Sequence, residues 1–136
     1  MNDDVEIERI KQKKLQELIK RQNESQNQKP AGIIDLNESN FDQVVSSEIP
    51  TLVDFWAEWC GPCQAMHPIF SNLSQKYPKV RFARLNVDHV QTIAMKFGVQ
   101  AIPTFIMFKN GQIVDKLMGA VGAPGIHMIC QKYSQY

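Results

Sequence analysis

The segment Trp59-Cys60-Gly61-Pro62-Cys63 is the most informative part of this 136-residue chain. It follows the run Thr51-Leu52-Val53-Asp54-Phe55-Trp56-Ala57, which is too continuously apolar for a half-exposed strand and predicts a buried one. Gly61 and Pro62 end this strand, and the apolar spacing from Cys63 to Tyr77 predicts a helix. The two cysteines therefore lie at a strand-to-helix junction.

Cys60 lies next to the N-terminus of the predicted helix, where free N–H groups and the helix dipole favour an anion. A thiolate is such an anion, and it is the reactive form of cysteine. We therefore predict that Cys60 is partly exposed and attacks a substrate disulfide, and that Cys63, one turn into the helix and more buried, attacks back. An ordinary pair of core cysteines would leave Trp59, Gly61 and Pro62 unexplained.

A zinc site is the competing interpretation of these cysteines. Cys60, Cys63 and His67 offer three ligands on neighbouring turns, but a closed structural site needs four, usually from two separated pairs. The sequence has no second Cys-x-x-Cys, and His89 and His127 are distant in it. We therefore expect no metal, and we expect His67 on the helix surface near the site.

The composition narrows the class of protein. Hydrophobic residues make up 43% of the chain and its net charge is +1, so we expect one soluble domain with an ordinary core. Nucleic-acid-binding proteins are usually clearly basic, and three cysteines are too few for a secreted disulfide scaffold. The sequence shows no secretory signal and no stretch of the ~20 apolar residues that a membrane span needs. We expect a cytoplasmic monomer that binds neither membranes nor nucleic acids.

Residues 1–29 are predicted to form a charged helical extension and a linker. The segment from Asp3 to Gln22 has no Gly or Pro, its apolar residues share one face, and its acids precede its bases, which suits the helix dipole. A solvated extension is the simpler interpretation, and a docking helix for a partner, a second copy or a nucleic-acid backbone is the alternative. Polar residues from Asn23 to Gly32 indicate a linker, so we place the compact domain at residues 30–136.

The remaining segments alternate between strand and helix patterns. Besides the central strand and helix, the predicted elements are a strand at Ile33–Leu36, a helix through Phe41 and Val45 capped by Asn37 or Ser39, a strand at Val80–Val87, a helix capped by Asp88, a hairpin of Thr104–Phe108 and Ile113–Met118, and a helix at Pro124–Tyr133. This order predicts an α/β fold. Its mixed sheet has a parallel part and a C-terminal antiparallel hairpin, with helices on both faces.

The segment from Val53 to Cys63 resembles the active-site segment of thioredoxins. Three later motifs fall in the order and spacing of that family: Ile102-Pro103-Thr104, Lys109-Asn110-Gly111 and Gly119-Ala120. The resemblance covers the chain from about residue 31 onward. It implies the thioredoxin fold and a protein-disulfide reductase without a bound cofactor. Electrons would come from a thioredoxin reductase, a flavoprotein fed by NADPH, and would pass to disulfide-containing proteins.

Asp54 is the polar exception in the buried strand. Alternation places it on the face shared by Leu52 and Trp56, so we expect a dry carboxyl group with a raised pKa. An aspartate without a role is the alternative from the residues alone, whereas the resemblance implies a general acid/base for Cys63. Trp56 is expected to pack beneath the helix that follows.

The resemblance also implies a substrate groove around Pro103. X-Pro bonds are mostly trans, but thioredoxins hold the matching bond cis, so that the proline faces the cysteines and the backbone of Ile102 can pair with an extended substrate. The other implied members of this shallow, uncharged groove are Trp59, Gly61, Pro62, Gly119 and Ala120.

Two positions depart from the family, and one cysteine lies outside its motif. Gln64 stands where many thioredoxins have Lys, and Arg84 matches a lysine near the buried aspartate; arginine keeps its charge where lysine can lose it. Cys130 is interpreted as a buried structural cysteine.

Two alternatives to a reductase remain. One is a disulfide isomerase or oxidase, and the other is a binding subunit whose thiols are incidental.

Overall fold

The computed structural model describes residues 9–14 and 32–134. The chain divides into two compact units, Met1–Ala31 and Gly32–Tyr136. In the first unit, residues 9–14 are helical and exposed. The rest of the predicted helical extension, its linker and the predicted boundary after residue 29 lie outside the described residues.

The second unit is built on a five-stranded mixed sheet. Its strands are β1 (Ile34–Asp35), β2 (Thr51–Trp56), β3 (Arg81–Asn86), β4 (Thr104–Lys109) and β5 (Gln112–Met118). They lie in the order β1-β3-β2-β4-β5. β3 is parallel to β1 and β2, whereas β4 is antiparallel to β2 and forms the hairpin with β5. The predicted mixed sheet is confirmed.

Helices cover both faces of this sheet. They are α1 (Phe41–Val45), α2 (Gly61–Lys76), α3 (Gln91–Lys96) and α4 (Gly122–Tyr133). Side chains of α1 and α3 pack with Val53 and Phe55 in one core, and side chains of α2 and α4 pack with Leu52 and Phe105 in the other. Among the described residues, no helix is long and apolar enough to span a bilayer.

The register of the sheet places two charged residues side by side. Asp54 in β2 lies opposite Arg84 in β3 and Phe105 in β4. Because paired residues of neighbouring strands point to the same face, Asp54 and Arg84 share the face that α2 and α4 cover. The predicted position of Asp54, alternating with Leu52 and Trp56, is therefore confirmed.

The helix starts differ from those predicted from the sequence. Asn40, rather than Asn37 or Ser39, precedes α1, and the Asn37 Oδ1 instead accepts hydrogen bonds from the backbone N–H groups of Ser39 and Asn40. Asp88 does not cap α3, which begins after Val90 without a side-chain cap. Both predictions were wrong because the Asn37 side chain stabilises the turn before α1 and the Asp88 carboxylate accepts a hydrogen bond from the Trp59 ring.

Candidate active site

The junction between β2 and α2 holds the paired cysteines. Cys60 is the N-cap of α2, and its Sγ accepts a hydrogen bond from the backbone N–H of Cys63 at 3.2 Å. The Cys60 N–H donates to the carbonyl of Ala57, 3.2 Å away, which closes the turn out of the strand. Because Cys60 begins the helix, α2 starts at Gly61, two residues earlier than predicted. The helix N-terminus therefore presents its free donor directly to the Cys60 sulfur.

The two cysteines form a disulfide in this structure, with their Cα atoms 5.2 Å apart. Cys63 is fully buried, and only 4% of Cys60 is exposed. The predicted order of burial is confirmed, but the predicted partial exposure of Cys60 was wrong. Cys60 is covered because Ile102 and Val87, from distant parts of the sequence, pack against it.

The loop before β4 lies against the disulfide. The Ile102–Pro103 peptide bond is cis, as the resemblance implied, and the Ile102 carbonyl oxygen is 3.8 Å from the Cys60 Sγ. The Pro103 carbonyl accepts a hydrogen bond from the N–H of Gly119 at 2.8 Å. This bond, together with the positive φ of 88° at Gly119, brings Gly119 and Ala120 beside the same loop.

Trp59 forms an exposed rim next to the cysteines. Its side chain is 72% exposed, and its Nε1 donates a hydrogen bond to the Asp88 Oδ2 at 2.9 Å. Gly61 and Pro62 are also exposed, in the first turn of α2. The contact with Asp88 was not predicted, because a pair separated by 29 residues leaves no local signal in the sequence. The Trp59 ring is held at the edge of the site while its face stays open.

Asp54 lies beneath the cysteine helix as a fully buried carboxyl group. Neither of its oxygens has a hydrogen-bond partner. Burial raises the pKa of Asp54 from 3.8 to about 7, against the opposing effect of the nearby Arg84 charge. The predicted dry carboxyl with a raised pKa is confirmed. Near neutral pH, such a group can both accept and release a proton.

Arg84 supplies the positive charge nearest to Asp54. Its Nε is 3.9 Å from the Asp54 Oδ2, and a terminal nitrogen donates to the carbonyl of His67 at 3.0 Å and to the Ser71 Oγ at 3.1 Å. The guanidinium also lies over the Phe70 ring, 5.7 Å from its centroid. Burial lowers the pKa of Arg84, whereas Asp54 and Asp35 raise it. Because it is an arginine, it keeps its charge in this half-buried position.

His67 is half-buried rather than on the helix surface, so that prediction was wrong. Its ring packs edge-on against Trp56, with the ring centroids 4.7 Å apart, and its Nε2 is buried. Burial, assisted by the Arg84 charge, lowers the pKa of His67. Helical periodicity alone did not predict this burial, because the burial comes from the size of the Trp56 side chain.

Within the described residues, no group of three or more His, Cys, Asp or Glu side chains is arranged to bind a metal.

The fold and the paired cysteines define a thiol–disulfide oxidoreductase. The family model named Thioredoxin matches residues 32–132. The chain is 43% identical over 93 residues to the thioredoxin of Synechocystis sp., a match covering 68% of this chain and 87% of that protein. It is 42% identical over 100 residues to the M-type chloroplastic thioredoxin of Pisum sativum, covering 72% of this chain and 58% of that protein. The chain belongs to the thioredoxin family.

Solved structures agree with this assignment. The chain superposes on Plasmodium falciparum thioredoxin with a TM-score of 0.71 and 34% identity, covering 74% of this chain and 99% of that one. It superposes on a single-residue mutant of thioredoxin from Halobacterium salinarum with a TM-score of 0.74 and 28% identity, covering 79% of this chain and 96% of that one. The chain has the thioredoxin fold, and its Cys60–Cys63 pair makes it a protein-disulfide reductase.

Proposed function

We propose that Cys60 is the nucleophile of this reductase and Cys63 its resolving cysteine. The observation that carries the assignment is the hydrogen bond from the Cys63 N–H to the Cys60 Sγ at the start of α2. This donor and the helix dipole stabilise negative charge on Cys60 and not on Cys63. Cys63 is also the more deeply buried of the two, so a large protein substrate reaches Cys60 first.

The reaction then takes two exchange steps. The Cys60 thiolate attacks one sulfur of the substrate disulfide, the substrate S–S bond breaks, and the released substrate thiolate takes a proton from solvent. Cys63 next loses its thiol proton and attacks the Cys60 sulfur. The bond between Cys60 and the substrate breaks, and the second substrate thiolate leaves. The substrate gains two electrons, and the enzyme is left with its Cys60–Cys63 disulfide.

Asp54 acts in the second step as the base that takes the Cys63 proton. Support comes from its burial beneath α2 and from its pKa of about 7, which suits proton exchange at neutral pH. A carboxyl group with an ordinary pKa would be a weaker base for a thiol. Asp54 regains its ionised form before the next cycle.

Substrates bind along the rim of the site. Ile102 offers backbone groups beside the cis-Pro103, so an extended segment of the substrate can pair with it as an added strand. The other proposed contacts are Trp59, Gly61, Pro62, Gly119 and Ala120. Because backbone contacts dominate, we expect many disulfide-containing proteins to be accepted, with Trp59 supplying an exposed apolar surface.

Electrons reach the disulfide from a separate reductase, without a cofactor bound to this chain. The family suggests a thioredoxin reductase, and we propose that it is a flavoprotein that uses NADPH. We also propose a monomer in the reducing cytoplasm, where the free Cys130 stays reduced. Subcellular fractionation and size-exclusion chromatography test these two proposals. A membrane, organellar or oligomeric fraction would contradict them.

The test of the assignment compares Cys60→Ser and Cys63→Ser with the parent protein. With dithiothreitol as the electron donor and insulin as the substrate, we expect both variants to lose catalysis. Only Cys63→Ser should accumulate a mixed disulfide with the substrate, through Cys60. Cys130→Ser is the matched control and should retain the parent rate. Mixed disulfides in Cys60→Ser rather than Cys63→Ser would reverse the assignment.

A further inference from the structure

Among the described residues, four buried side-chain polar atoms have no hydrogen-bond partner, and the three residues that carry them form one cluster around Arg84. These atoms are the two carboxyl oxygens of Asp54, the Nε2 of His67 and the Nε of Arg84. Arg84 joins the three residues, because its Nε is 3.9 Å from the Asp54 Oδ2 and its terminal nitrogen donates to the His67 carbonyl at 3.0 Å. An unpaired buried polar atom costs about 1–3 kcal/mol, so this concentration beneath α2 calls for a functional explanation.

The chemistry of these atoms matches the needs of a bound water molecule. A separation of 3.9 Å is too long for a direct hydrogen bond between Arg84 and Asp54. Polar groups at such separations are often bridged by water, and a buried water typically has two to four polar partners. Here the Asp54 oxygens accept, the Arg84 Nε donates, and the His67 Nε2 accepts or donates according to its tautomer.

The imidazole of His67 is held in place and kept neutral. Its ring rests edge-on against Trp56. The charged group that acts on it is Arg84 in β3, which lies between Asp54 in β2 and Asp35 in β1. Burial and the Arg84 charge both lower the pKa of His67, so the ring is uncharged at neutral pH. A neutral imidazole has one donor and one acceptor nitrogen and can relay a hydrogen-bonded chain.

A cleft brings solvent close to this cluster. It has a volume of about 610 Å³ and lies at the carboxyl ends of the parallel strands, and Trp56 and Arg84 are in its wall. The same two side chains contact His67. The remaining polar wall includes Asp35, Asn86 and His89. Trp56 and Arg84 therefore connect this cleft to the buried residues, because both contact His67 and Arg84 lies beside Asp54.

We propose that His67 is a positioning residue for Asp54. The His67 Nε2 and the Arg84 Nε together hold a water molecule, and this water carries the Asp54 proton to the cleft. The inference rests on the proposed role of Asp54 as the base. In the resolving step Cys63 gives its proton to Asp54, the Cys60–Cys63 bond forms, and the substrate leaves as a thiolate. Asp54 then passes that proton through the water to solvent, which restores its carboxylate.

The test uses three variants and the rate of mixed-disulfide resolution in a single turnover. His67→Leu removes both ring nitrogens and keeps most of the volume, and His67→Gln keeps a polar group. His127→Leu is the matched control, because His127 also packs edge-on against an aromatic ring, that of Tyr77 at the other end of α2. Each is measured across the range from mildly acidic to mildly alkaline pH, in H₂O and in D₂O.

We expect His67→Leu to slow the resolution of the mixed disulfide about tenfold. This is a part of the rate enhancement of roughly 10²–10⁴-fold that general acid–base catalysis contributes. The substitution should also enlarge the solvent isotope effect and move the pH midpoint of the rate. His67→Gln should restore part of the rate, and His127→Leu should match the parent. In an Asp54→Asn background, His67→Leu should add no further loss. A parent-like pH profile for His67→Leu, or a full additional loss in that background, would overturn the inference.

A readout independent of turnover keeps this inference separate from the proposed function. The carboxyl carbon of Asp54 reports its titration by NMR in the folded, oxidised protein. Losing a hydrogen-bonded water destabilises the carboxylate, so His67→Leu should raise the pKa of Asp54 by roughly one unit. An unchanged titration would overturn the role of His67 even if the parent is an active reductase. If His67→Leu shifts the Asp54 titration but the parent protein has no reductase activity, the proposed function alone would be contradicted.

Discussion

Asp54 is a carboxyl group that the fold keeps protonated up to nearly neutral pH. It is fully buried, and its pKa rises from 3.8 to about 7 because burial outweighs the attraction of Arg84. A pKa that is higher in the folded than in the unfolded state means that the folded state binds the proton more tightly. The free energy of unfolding therefore falls as the pH rises from about 4 to about 7 and then levels off. The raised pKa that suits the proposed base is therefore obtained at the expense of stability.

Asp54→Asn should stabilise the protein above neutral pH and slow the resolving step. The substitution removes a buried group that must ionise, and a pKa shift of this size corresponds to on the order of 4 kcal/mol as an upper limit. Urea unfolding at mildly alkaline pH and at about pH 4 measures the effect, which should largely vanish at the lower pH. If Asp54→Asn were no more stable than the parent at mildly alkaline pH, the raised pKa would be contradicted.

Arg84→Met should raise the pKa of Asp54 above its present value of about 7, because the Arg84 charge lowers it. It should also destabilise the fold by about 1–3 kcal/mol through the lost bonds to the His67 carbonyl and the Ser71 Oγ. Arg81→Met, in the same strand, is the control and should leave the Asp54 titration unchanged. An Asp54 pKa that falls in Arg84→Met would show that the charge does not act as described.

At the scale of elements, the junction between β2 and α2 sets the chemistry. The strand buries Asp54, and the helix begins at Gly61 with the Cys60 sulfur at its first free donor. The order and type of all nine elements of the second unit followed from apolar spacing and turn residues, because these are local signals. Their caps did not follow: Asp88 was assigned to α3, whereas its carboxylate accepts from Trp59.

Gly125, near the start of α4, lies close to the side chain of Val121. A Cβ added there would lie 2.5 Å from the Cβ of Val121. We therefore expect Gly125→Ala to destabilise the protein by about 1–3 kcal/mol through overpacking, despite the better helix propensity of alanine. Thermal unfolding measures this. The control is a Val121→Gly background, because Val121→Ala would keep the Cβ that makes the contact. In the Val121→Gly background, Gly125→Ala should cost much less stability. The same loss of stability in that background would contradict overpacking.

For the molecule as a whole, two cores hold the sheet between its helices, and the third cysteine lies in one of them. Cys130 on α4 is fully buried among the residues that pack α2 and α4 onto the sheet. The sequence predicted this burial from the apolar neighbours of Cys130. It did not predict that Cys60 is covered or that His67 lies under Trp56, because those contacts join segments distant in sequence or depend on side-chain size.

Cys130 should therefore be inert in the folded protein. Burial raises the pKa of its thiol to about 12, so almost no reactive thiolate exists at neutral pH. Prolonged treatment with iodoacetamide should label Cys60 and Cys63 in the reduced native protein, and Cys130 as well in urea, as counted by intact mass. Labelling of Cys130 in the native protein as fast as the other two would place this thiol outside the core.

The proposed reaction requires Cys60 to be ionised and reachable at neutral pH while Cys63 is protected. The most direct measurement follows the time course of iodoacetamide labelling of the reduced protein at neutral pH, with each cysteine quantified by peptide mass spectrometry. We predict that Cys60 is modified at least about tenfold faster than Cys63, because its sulfur accepts a hydrogen bond at the helix N-terminus and Cys63 is the more deeply buried of the two. Faster labelling of Cys63, or equal rates at both positions, would contradict the account.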